Sequence, residues 1–396
     1  MFENITPLTA DPILGLMAEF REDKRNLKID LGVGVYRDDL GNTPIMLAVK
    51  EAERQKIKLE STKSYIGPTG SENYNKLTQD ITLGEEHRVL KDKRITTIQT
   101  PGGCGALKIG ADFINKVRPN STIWVSSPTW ANHIPLLGGA GLRIKDYSYY
   151  CPNNKRLDKP KMLDSLRQAS EGDIILIHGC CHNPSGVDLD EEAWEKLIEI
   201  LTRRHLLPFI DLAYQGLGDG LEEDVKGLRK LIGAIPEALI ACSYSKNFGL
   251  YRERTGALHV VLKSPKTVKA VSDQLGSIAR GIYSMPPAHG ALLVERILAD
   301  EPLKSLWTNE LNQMRKRIST LRLELAQKLN QATKLDFNFI TEQKGMFSFL
   351  GISKEQISEL KINHAIYMVD SSRINIAGLN ANNIDYFVEG IRQVLK

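Results

Sequence analysis

Short apolar segments alternate with amphipathic segments between about residues 94 and 262, and this alternation leaves the chain few ways of folding. Continuous apolar runs bounded by turn residues predict strands that are buried on both faces. Such a run occurs at 173–178, and further strands are predicted at 94–99, 123–126, 206–210 and 238–243. Helices are predicted between them at 106–116, at 190–204 and near 222–231. Strands that alternate with helices predict an α/β fold with a mostly parallel sheet between helices.

The remainder of the chain has a different pattern, which predicts a smaller second unit. A long charged helix without Gly or Pro is predicted at 310–330 and could bridge two domains. Two further helices and short strands indicate an α+β domain, with the strands at 337–341, 346–350, 365–369 and 374–377. Residues 12–44 are rich in turn signals and are expected to pack with it. We therefore predict an N-terminal arm at 1–11, a small domain formed by 12–44 and 312–396, and a large domain at 45–311.

Composition argues against several classes of protein. The 396 residues include 52 Lys and Arg against 48 Asp and Glu, a net charge of +4. The basic stretches 87–94 and 315–322 contain or adjoin acidic residues at helical spacing, so we interpret them as solvated helix faces and expect no nucleic-acid partner. Five cysteines, an odd number, argue against a disulfide framework. Neither a signal peptide nor an apolar run of ~18 residues is visible, so we expect a cytoplasmic protein without membrane contact.

Polar residues stand where the predicted strands end, at the edge where open parallel sheets bind ligands. The first strand is followed by Gly102, Gly103 and Cys104 at the start of a helix. Such a turn suits a phosphate, although a ligand-free strand–helix turn would use the same residues. The strand at 206–210 ends at Asp211, and a lone Asp in that place is often a helix cap.

Lys246 follows the strand at 238–243, flanked by Ser243 and Ser245 and followed by Arg254. A lysine among small polar residues at a strand end suits a desolvated amine that forms a Schiff base. Ser243 and Lys246 also match the Ser-x-x-Lys motif of penicillin-recognising acyl-serine enzymes. The companion motifs of that class are imperfect here and in the wrong order, and its serine begins a helix, so we discard this interpretation.

A run of two Cys flanked by two His, at 178–182, raises the question of a metal site. Adjacent residues rarely aim at one ion, and no second Cys/His pair lies at zinc-site spacing. We therefore predict no metal.

Five segments carry a resemblance that covers the chain from end to end: 11–16 (DPILGL), 31–36 (LGVGVY), 180–186 (CCHNPSG), 245–251 (SKNFGLY) and 345–348 (GMFS). In these segments the chain resembles the bacterial aspartate and aromatic amino-acid aminotransferases, class I enzymes of the fold-type I pyridoxal phosphate group. The resemblance implies the fold-type I architecture, pyridoxal 5′-phosphate as the cofactor, and a homodimer with shared active sites.

The resemblance also implies roles for residues around the cofactor ring. Lys246 would form the Schiff base and Asp211 would face the pyridine nitrogen, with Tyr214 as the third catalytic residue. A carboxylate there keeps that nitrogen protonated, so that the ring can accept electrons from the substrate Cα. The other implied roles are orientation of Asp211 by His133 and His178, contact with the ring hydroxyl by Asn183 and Tyr214, and stacking on the ring by Trp130.

Further roles implied by the resemblance concern the phosphate and the substrate. The phosphate would be held by Gly102, Gly103, Cys104, Ser243, Ser245 and Arg254, together with the partner subunit's Tyr65. Arg373 would grip the substrate α-carboxylate with both ends of its planar fork. The remaining implied substrate contacts are Gly34, Trp130, Asn183 and, from the partner subunit, Arg280 on the distal carboxylate.

Two positions depart from the family's usual pattern and bear on substrate range. Cys104 stands where the family has Thr or Ser, and Met285 stands where aspartate-specific members have Asn. The segments 63–66 and 277–280 look like those of bacterial aromatic aminotransferases. We expect transamination of phenylalanine, tyrosine, tryptophan and aspartate with 2-oxoglutarate, giving the 2-oxo acid and glutamate. The alternative is an aspartate aminotransferase with only minor aromatic activity.

Two other classes of function remain to be weighed. A lyase or decarboxylase on the same fold is disfavoured, because the presence of both Arg373 and Arg280 favours dicarboxylate substrates. A cofactor-binding regulatory domain would predict a fused DNA-binding segment, which we do not expect, because the first 10 residues leave no room for one.

Overall fold

The apolar segments of the middle of the chain form one sheet in the computed structural model, which describes residues 2–6 and 12–396. Within these residues the strands are β1 (Ile29–Asp30), β2 (Ile95–Pro101), β3 (Thr122–Ser127), β4 (Arg143–Ser148), β5 (Tyr150–Cys151), β6 (Arg156–Leu157), β7 (Ile174–His178), β8 (Leu207–Leu212), β9 (Ala238–Ser243), β10 (Thr255–Val261), β11 (Phe347–Phe349), β12 (Ile366–Tyr367) and β13 (Arg373–Asn375). The large sheet has the order β2-β10-β9-β8-β7-β3-β4. The pairs β1-β12, β11-β13 and β5-β6 form small ribbons.

Helices occupy most of the remaining described chain. They are α1 (Pro12–Glu22), α2 (Leu47–Leu59), α3 (Glu72–Leu83), α4 (Arg88–Lys91), α5 (Gly102–Val117), α6 (His133–Gly138), α7 (Lys159–Leu166), α8 (Glu191–Arg203), α9 (Lys226–Ala234), α10 (Val268–Ile282), α11 (Ala288–Ala299), α12 (Glu301–Thr333), α13 (Phe339–Glu342), α14 (Lys354–His364) and α15 (Ile384–Val394). None of these helices combines the length and the apolar character needed to cross a bilayer.

The large sheet is parallel except for β10, which confirms the predicted α/β fold with a mostly parallel sheet. A loop of residues 244–254 joins β9 to β10. The loop carries no crossover helix of the kind that a parallel neighbour needs, so the chain returns antiparallel. The sequence prediction missed β4 and β10. β4 is a largely exposed edge strand without an apolar run, and the apolar pattern of β10 is interrupted by Gly256 and His259.

Both faces of the sheet are buried, as the continuous apolar runs predict. Alternate residues of β7 and β8 belong to different apolar clusters: Ile174 and Phe209 to one, Ile175 and Ile210 to the other. Side chains of a strand point alternately to opposite faces, so helices cover this sheet on both sides. The strands are therefore fixed from both sides, which makes their ends a rigid support.

The helix predicted at 310–330 is longer than expected and begins at Glu301. Asp300 caps it by accepting a hydrogen bond from the backbone N–H of Leu303 at 3.1 Å. Pro302 lies in the first turn, where a missing N–H costs nothing. Pro302 is thus part of the start of the helix, which the prediction placed nine residues too late.

The prediction of a strand at 337–341 is wrong, because the structure has α13 there. The Asp336 carboxylate accepts a hydrogen bond from the Asn338 N–H, and the Thr341 hydroxyl donates to the Asn338 carbonyl. These local side-chain bonds stabilise a turn in place of a ladder. The strand predicted at 374–377 is also displaced: β13 spans Arg373–Asn375, and residues 376–378 form a 3-10 turn.

Residues 12–44 pack against the C-terminal elements, as expected. Ile29 and Asp30 of β1 pair in parallel with Ile366 and Tyr367 of β12. The Asn375 side-chain amide donates to the carbonyls of residues 33 and 35 at 2.7 Å each. The domain boundaries themselves remain a prediction, and the predicted arm at 1–11 lies largely outside the described residues.

One part of the composition argument needs correction. The basic stretch 315–322 is not a solvated face throughout, because Arg322 is only 3% exposed. Its guanidinium donates to backbone carbonyls instead of facing water. An arginine at helical spacing from acidic residues can still point inward when unpaired carbonyls lie opposite it.

Candidate active site

The carboxyl ends of the parallel strands lie at one edge of the sheet, and the residues that follow them line a cavity of about 280 Å³. Twelve of the predicted site residues line it: Gly34, Gly103, Cys104, Trp130, Asn183, Asp211, Tyr214, Ser243, Ser245, Lys246, Arg254 and Arg373. They come from segments spread between residues 34 and 373, which only the fold brings together.

Lys246 stands three residues beyond the end of β9, and its amine lies inside the cavity. Its Nζ is 4.7 Å from the centroid of the Tyr214 ring. Burial lowers the pKa of Lys246 and nearby Arg254 lowers it further, although Asp211 opposes the shift. A lowered pKa favours the neutral amine, which is the nucleophilic form.

Asp211 is the buried acid of the cavity. It lies in β8, beside His178 of β7 in the parallel register. Its Oδ2 is 3.0 Å from Nε2 of His133, whose Nδ1 is 2.8 Å from the Thr129 hydroxyl. Burial alone would raise the pKa of Asp211, but the hydrogen bond from His133 and the neighbouring positive charges lower it on balance. Asp211 is therefore held as a carboxylate that faces the cavity.

His178 lies behind this pair and makes no comparable bond. Its ring is 5.3 Å from that of His133, and its buried Nε2 has no hydrogen-bond partner in the described part of the chain. Burial and the neighbouring His133 lower the pKa of His178 to about 3, so the ring is neutral at physiological pH. Its contribution to Asp211 is therefore packing, since it lies beside that residue in the register of β7 and β8.

The start of α5 and the loop after β9 form a positively polarised end of the cavity. Arg254 donates from Nη1 to the Ser245 hydroxyl at 3.3 Å and to the Tyr251 carbonyl at 3.0 Å. Gly102 has a φ of +69°, and a Cβ there would lie 2.5 Å from Nη2 of Arg254. A Cβ on Gly103 would lie 2.9 Å from that of Ser243. Glycine backbone, two hydroxyls, a guanidinium and the free N–H groups of a helix start make this end suited to an anion.

Cys104 lines the same end, in the first turn of α5. The side-chain amide of Asn132 donates to its Sγ at 3.6 Å. Burial raises the pKa of the Cys104 thiol, so it is present as the neutral thiol and is at most a weak donor.

Arg373 approaches the cavity from β13, opposite the sheet. It is 5% exposed and donates to the Gly32 carbonyl at 2.6 Å and to Oδ1 of Asn183 at 3.3 Å. Its Nε has no hydrogen-bond partner among residues 2–6 and 12–396. The guanidinium lies 4.3 Å from the centroid of the Phe347 ring. A buried cation with unused donors is a site for a carboxylate.

The loop that carries Asn183 is held in place by its own polar groups. The Asp188 carboxylate accepts hydrogen bonds from the backbone N–H groups of Cys181 and His182 at 2.7 and 2.8 Å. His182 lies between the hydroxyls of Ser126 and Ser185, at 2.9 and 2.8 Å. Burial raises the pKa of Asp188 to about 6.

Two aromatic residues complete the predicted set in the lining. The Tyr214 ring is buried edge-on to Phe347, with ring centroids 6.0 Å apart. Burial raises the pKa of Tyr214, so its phenol keeps its proton and can donate a hydrogen bond. Trp130 lies edge-on to His133 at 5.2 Å and presents a ring to the cavity.

Five predicted residues do not line the cavity of a single chain. His133 and His178 lie behind Asp211, Tyr65 is 92% exposed, and Arg280 is exposed at the end of α10. Gly102 also stays outside the lining but contacts Arg254, which belongs to it. Met285, which bears on the expected substrate range, likewise lies outside the lining.

Five residues line the cavity without having been predicted: Ile13, Leu107, Ala213, Tyr251 and Phe347. Tyr251 accepts a hydrogen bond from the Tyr36 N–H at 2.8 Å, and Phe347 packs under Arg373. Both stand in segments that carry the resemblance, 245–251 and 345–348, so a signal was present. Apolar and phenolic side chains in such motifs were given no role of their own.

Two groups of side chains in the described residues have metal-ligand character. They are His133, His178 and Asp211, and Cys180, Cys181 and Asp224, each with ligand atoms within 4.8 Å of one another. In the second group both carboxylate oxygens of Asp224 already accept two backbone N–H groups each. That carboxylate has no lone pair directed at an ion, so the group is poorly suited to a metal.

Comparison with known proteins gives a consistent result. Residues 26–391 match the family described as "Aminotransferase class I and II". The chain is 44% identical to the aspartate aminotransferase of Escherichia coli K12 over all of both chains. It is also 44% identical to the aromatic-amino-acid aminotransferase of Pseudomonas aeruginosa, over 99% of this chain and 98% of the relative. The crystal structure of an aromatic-amino-acid aminotransferase from Burkholderia pseudomallei, covalently bound to pyridoxal phosphate, superposes over the whole of both chains with a TM-score of 0.98 at 38% identity.

Proposed function

The chain belongs to the class I and II aminotransferases, and from this premise we propose that it transfers amino groups to 2-oxoglutarate from aromatic amino acids and from aspartate. It is a pyridoxal-phosphate-dependent transferase. One observation carries the assignment of the site: a single cavity is lined by a buried amine, a buried carboxylate, an anion-binding end and a guanidinium with an unused hydrogen-bond donor among the described residues. These are Lys246, Asp211, the Arg254 end and Arg373.

The residues present fit pyridoxal phosphate. A side chain at Gly102 would collide with Arg254. Because glycine has no side chain, the backbone can approach a phosphate closely here. We assign the phosphate to Arg254, Ser243, Ser245 and the amides of Gly103 and Cys104. The ring nitrogen is assigned to Asp211, the ring hydroxyl to Asn183 and Tyr214, the ring face to Trp130, and covalent attachment to Lys246.

The cofactor, when bound, supplies an electron-withdrawing ring that accepts the electron pair left at Cα when its proton departs. The chain provides the groups that make this ring effective. The carboxylate of Asp211, which His133 contacts, would hold a proton on the ring nitrogen. The amine of Lys246, when it does not hold the cofactor, would take the proton from the substrate Cα and would be the group that returns it. Its lowered pKa favours the neutral form that this task needs.

Arg373 orients the amino acid for this proton transfer. Its fork binds the α-carboxylate bidentately, and the Asn183 contact fixes the plane of the guanidinium. Holding the carboxylate fixes the Cα–H bond relative to the ring. Gly34 contributes by its lack of a side chain, because a Cβ there would lie 2.8 Å from Cζ of Phe347.

The exposed positions of Tyr65 and Arg280 support a homodimer with shared active sites. Neither reaches the cavity of its own chain. We assign the partner subunit's Tyr65 to the cofactor phosphate and the partner subunit's Arg280 to the distal carboxylate of a dicarboxylic substrate. We further propose that residues 12–44 and 312–396 form a small domain and residues 45–311 a large one, which the pairing of β1 with β12 supports. A cytoplasmic location remains a prediction.

Preference between donors depends on two opposing contributions. Arg280 favours aspartate, since a desolvated charge pair is worth roughly 2–5 kcal/mol when one partner is removed. Met285 replaces a polar amide with a flexible apolar chain that can pack on a ring, and burying a Phe-sized side chain is worth roughly 1.5–3 kcal/mol. These ranges overlap, so we propose dual specificity. The likeness of segments 63–66 and 277–280 to those of bacterial aromatic aminotransferases favours aromatic amino acids as the preferred donors. The second candidate is an aspartate aminotransferase with minor aromatic activity, and the equal identity to both kinds of relative supports the two candidates to a similar degree.

Steady-state kinetics with 2-oxoglutarate as acceptor test the proposal. We expect kcat/KM values for phenylalanine and aspartate within about a hundredfold of each other, a difference below ~3 kcal/mol. Lys246→Ala provides the baseline and should lose transamination while still binding cofactor. A preference for aspartate above about a thousandfold, ~4 kcal/mol, would establish the second candidate and contradict the role given to Met285.

A further inference from the structure

Two buried arginines stand on opposite faces of the β11-β13 ribbon. In the antiparallel register Phe347 pairs with Asn375 and Phe349 with Arg373. Phe347 and Arg373 are therefore diagonal neighbours on one face, the face towards the cavity. Ser348 points to the other face, where its hydroxyl accepts a hydrogen bond from Nη1 of Arg322 at 2.7 Å.

Arg322 binds the segment that leads into β11. Its Nη1 donates to the Ile340 carbonyl at 3.0 Å, and its Nη2 donates to the carbonyls of Gly345 and Phe347 at 2.8 and 2.6 Å. Only a rigid fork with five donors can serve so many acceptors from one side chain. Arg322 has no carboxylate partner among the described residues, and burial lowers its pKa to about 10. A buried charge of this kind is costly, and the hydrogen bonds to backbone carbonyls offset this cost.

The same segment contacts both partners of Arg373. The Phe347 ring supports its guanidinium at 4.3 Å. The Lys344 N–H donates at 2.7 Å to the carbonyl of Gly186, in the loop that carries Asn183. The Asn183 amide oxygen in turn accepts from Arg373. Residues 340–348 therefore connect Arg322 to Arg373 in two ways. One is the Phe347 ring, and the other is the loop that carries Asn183.

We propose that Arg322 is a positioning residue for the substrate carboxylate: it fixes Phe347, and Phe347 fixes the guanidinium of Arg373. This inference rests on the proposed role of Arg373. Arg322 touches neither substrate nor cofactor, because it acts from the opposite face of the ribbon. Without its fork the Phe347 carbonyl is released, the ring moves, and Arg373 loses the orientation needed for bidentate binding. Displacement of the Arg373 guanidinium lowers the affinity for carboxylates. It leaves the Lys246 amine and the Asp211 carboxylate, which lie at the sheet, undisturbed.

The test uses the holoenzyme and a dicarboxylate that cannot react, succinate, titrated by calorimetry. Arg322→Met should weaken succinate binding by about tenfold or more and raise the KM for aspartate by a similar factor, with kcat changed less than about threefold. Leu325→Ala is the matched control. It removes a buried apolar side chain of the same helix that makes no hydrogen bond to residues 340–348, so it should lower the melting temperature and leave succinate affinity unchanged.

A second variant covers the case in which Arg322→Met does not fold. Phe347→Leu keeps the strand and removes the ring, and it should weaken succinate in the same direction. Where both fold, the double variant should bind succinate no more weakly than the weaker single variant, because the two residues act in series. Succinate affinity within about twofold of wild type in folded Arg322→Met, or in Phe347→Leu where Arg322→Met does not fold, overturns the inference.

Arg373→Ala separates this inference from the proposed function. Loss of succinate binding in that variant with normal binding in Arg322→Met refutes the inference alone. Normal succinate binding in Arg373→Ala refutes the proposed role of Arg373, and the inference with it.

Discussion

Replacing Gly102 by alanine tests the anion-binding end of the cavity most directly. A new Cβ would lie 2.5 Å from Nη2 and 2.9 Å from Cζ of Arg254, too close for the guanidinium to stay in place. A φ of +69° adds the cost of left-handed backbone in a non-glycine residue, roughly 1–2 kcal/mol. The backbone cost destabilises the fold with or without ligand. The displacement of Arg254 acts on binding, because it removes a charged hydrogen bond worth about 1.5–3 kcal/mol.

Cofactor affinity should therefore fall by about tenfold to a hundredfold in Gly102→Ala, since about 1.4 kcal/mol corresponds to a factor of ten. The measurement is a titration of the apoenzyme with pyridoxal phosphate, followed by tryptophan fluorescence. Pyridoxal, which lacks the phosphate, serves as the comparison ligand and should bind the variant and the wild type equally.

Gly41→Ala is the matched control. Gly41 has a φ of +80°, and a Cβ there would meet nothing within 4 Å, so this position bears the backbone cost alone. Both variants should melt at lower temperature, but only Gly102→Ala should lose affinity for pyridoxal phosphate. An unchanged ratio of pyridoxal phosphate to pyridoxal affinity in Gly102→Ala would refute the placement of the phosphate beside Arg254.

The other predictions concern the acid, the dimer and the response to pH. Asp211→Ala should keep the fold and lose most of kcat/KM, and a loss of less than about tenfold would make Asp211 a structural residue. Inactive Lys246→Ala and Arg280→Ala subunits, mixed and allowed to exchange, should regain activity, because one site of each hybrid has both residues; no rescue after verified exchange would contradict shared sites. Burial lowers the pKa of His259 to about 3, whereas an unfolded histidine protonates near pH 6.5, so stability should fall as the pH decreases between these values. At pH 5, His259→Gln should remove roughly 2 kcal/mol of the loss in the free energy of unfolding, which urea unfolding measures. A pH dependence of stability that is the same in the variant and the wild type would count against the burial argument.

The sequence predicts the sheet well because its strands are buried on both faces and so appear as uninterrupted apolar runs. It fails where burial is one-sided or the pattern is broken. β4 is mostly exposed, and β10 carries Gly256 and His259 within a buried strand. Residues 337–341 look like a strand by composition, but hydrogen bonds from Asp336 and Thr341 close a helical turn there. Local polar bonds of this kind depend on a spacing that apolar periodicity does not record.

For the site, the position at a strand end and its small polar neighbours pointed to Lys246. Asp211 taken alone could have been a helix cap, and the resemblance supplied its role and those of the other residues. Phe347 and Arg322 show what such reasoning cannot reach. Phe347 is an apolar residue that matters because its ring supports Arg373. Arg322 is a basic residue on a charged helix, and its side chain points inward. Their significance depends on which face of a short ribbon each occupies, and that follows only from the pairing of β11 with β13.

The charges that line the cavity also bear on how fast its ligands arrive. Arg254 and Arg373 outnumber the single carboxylate of Asp211, and both the phosphate-bearing cofactor and the amino-acid and oxo-acid substrates are anionic at one end. A concave wall with an excess of positive charge concentrates field lines and draws such molecules in from solution. Salt shortens the reach of this field from about 30 Å at 0.01 M to about 8 Å at 0.15 M. Cofactor capture by the apoenzyme should therefore slow as ionic strength rises, while its escape, governed by contacts inside the cavity, responds far less.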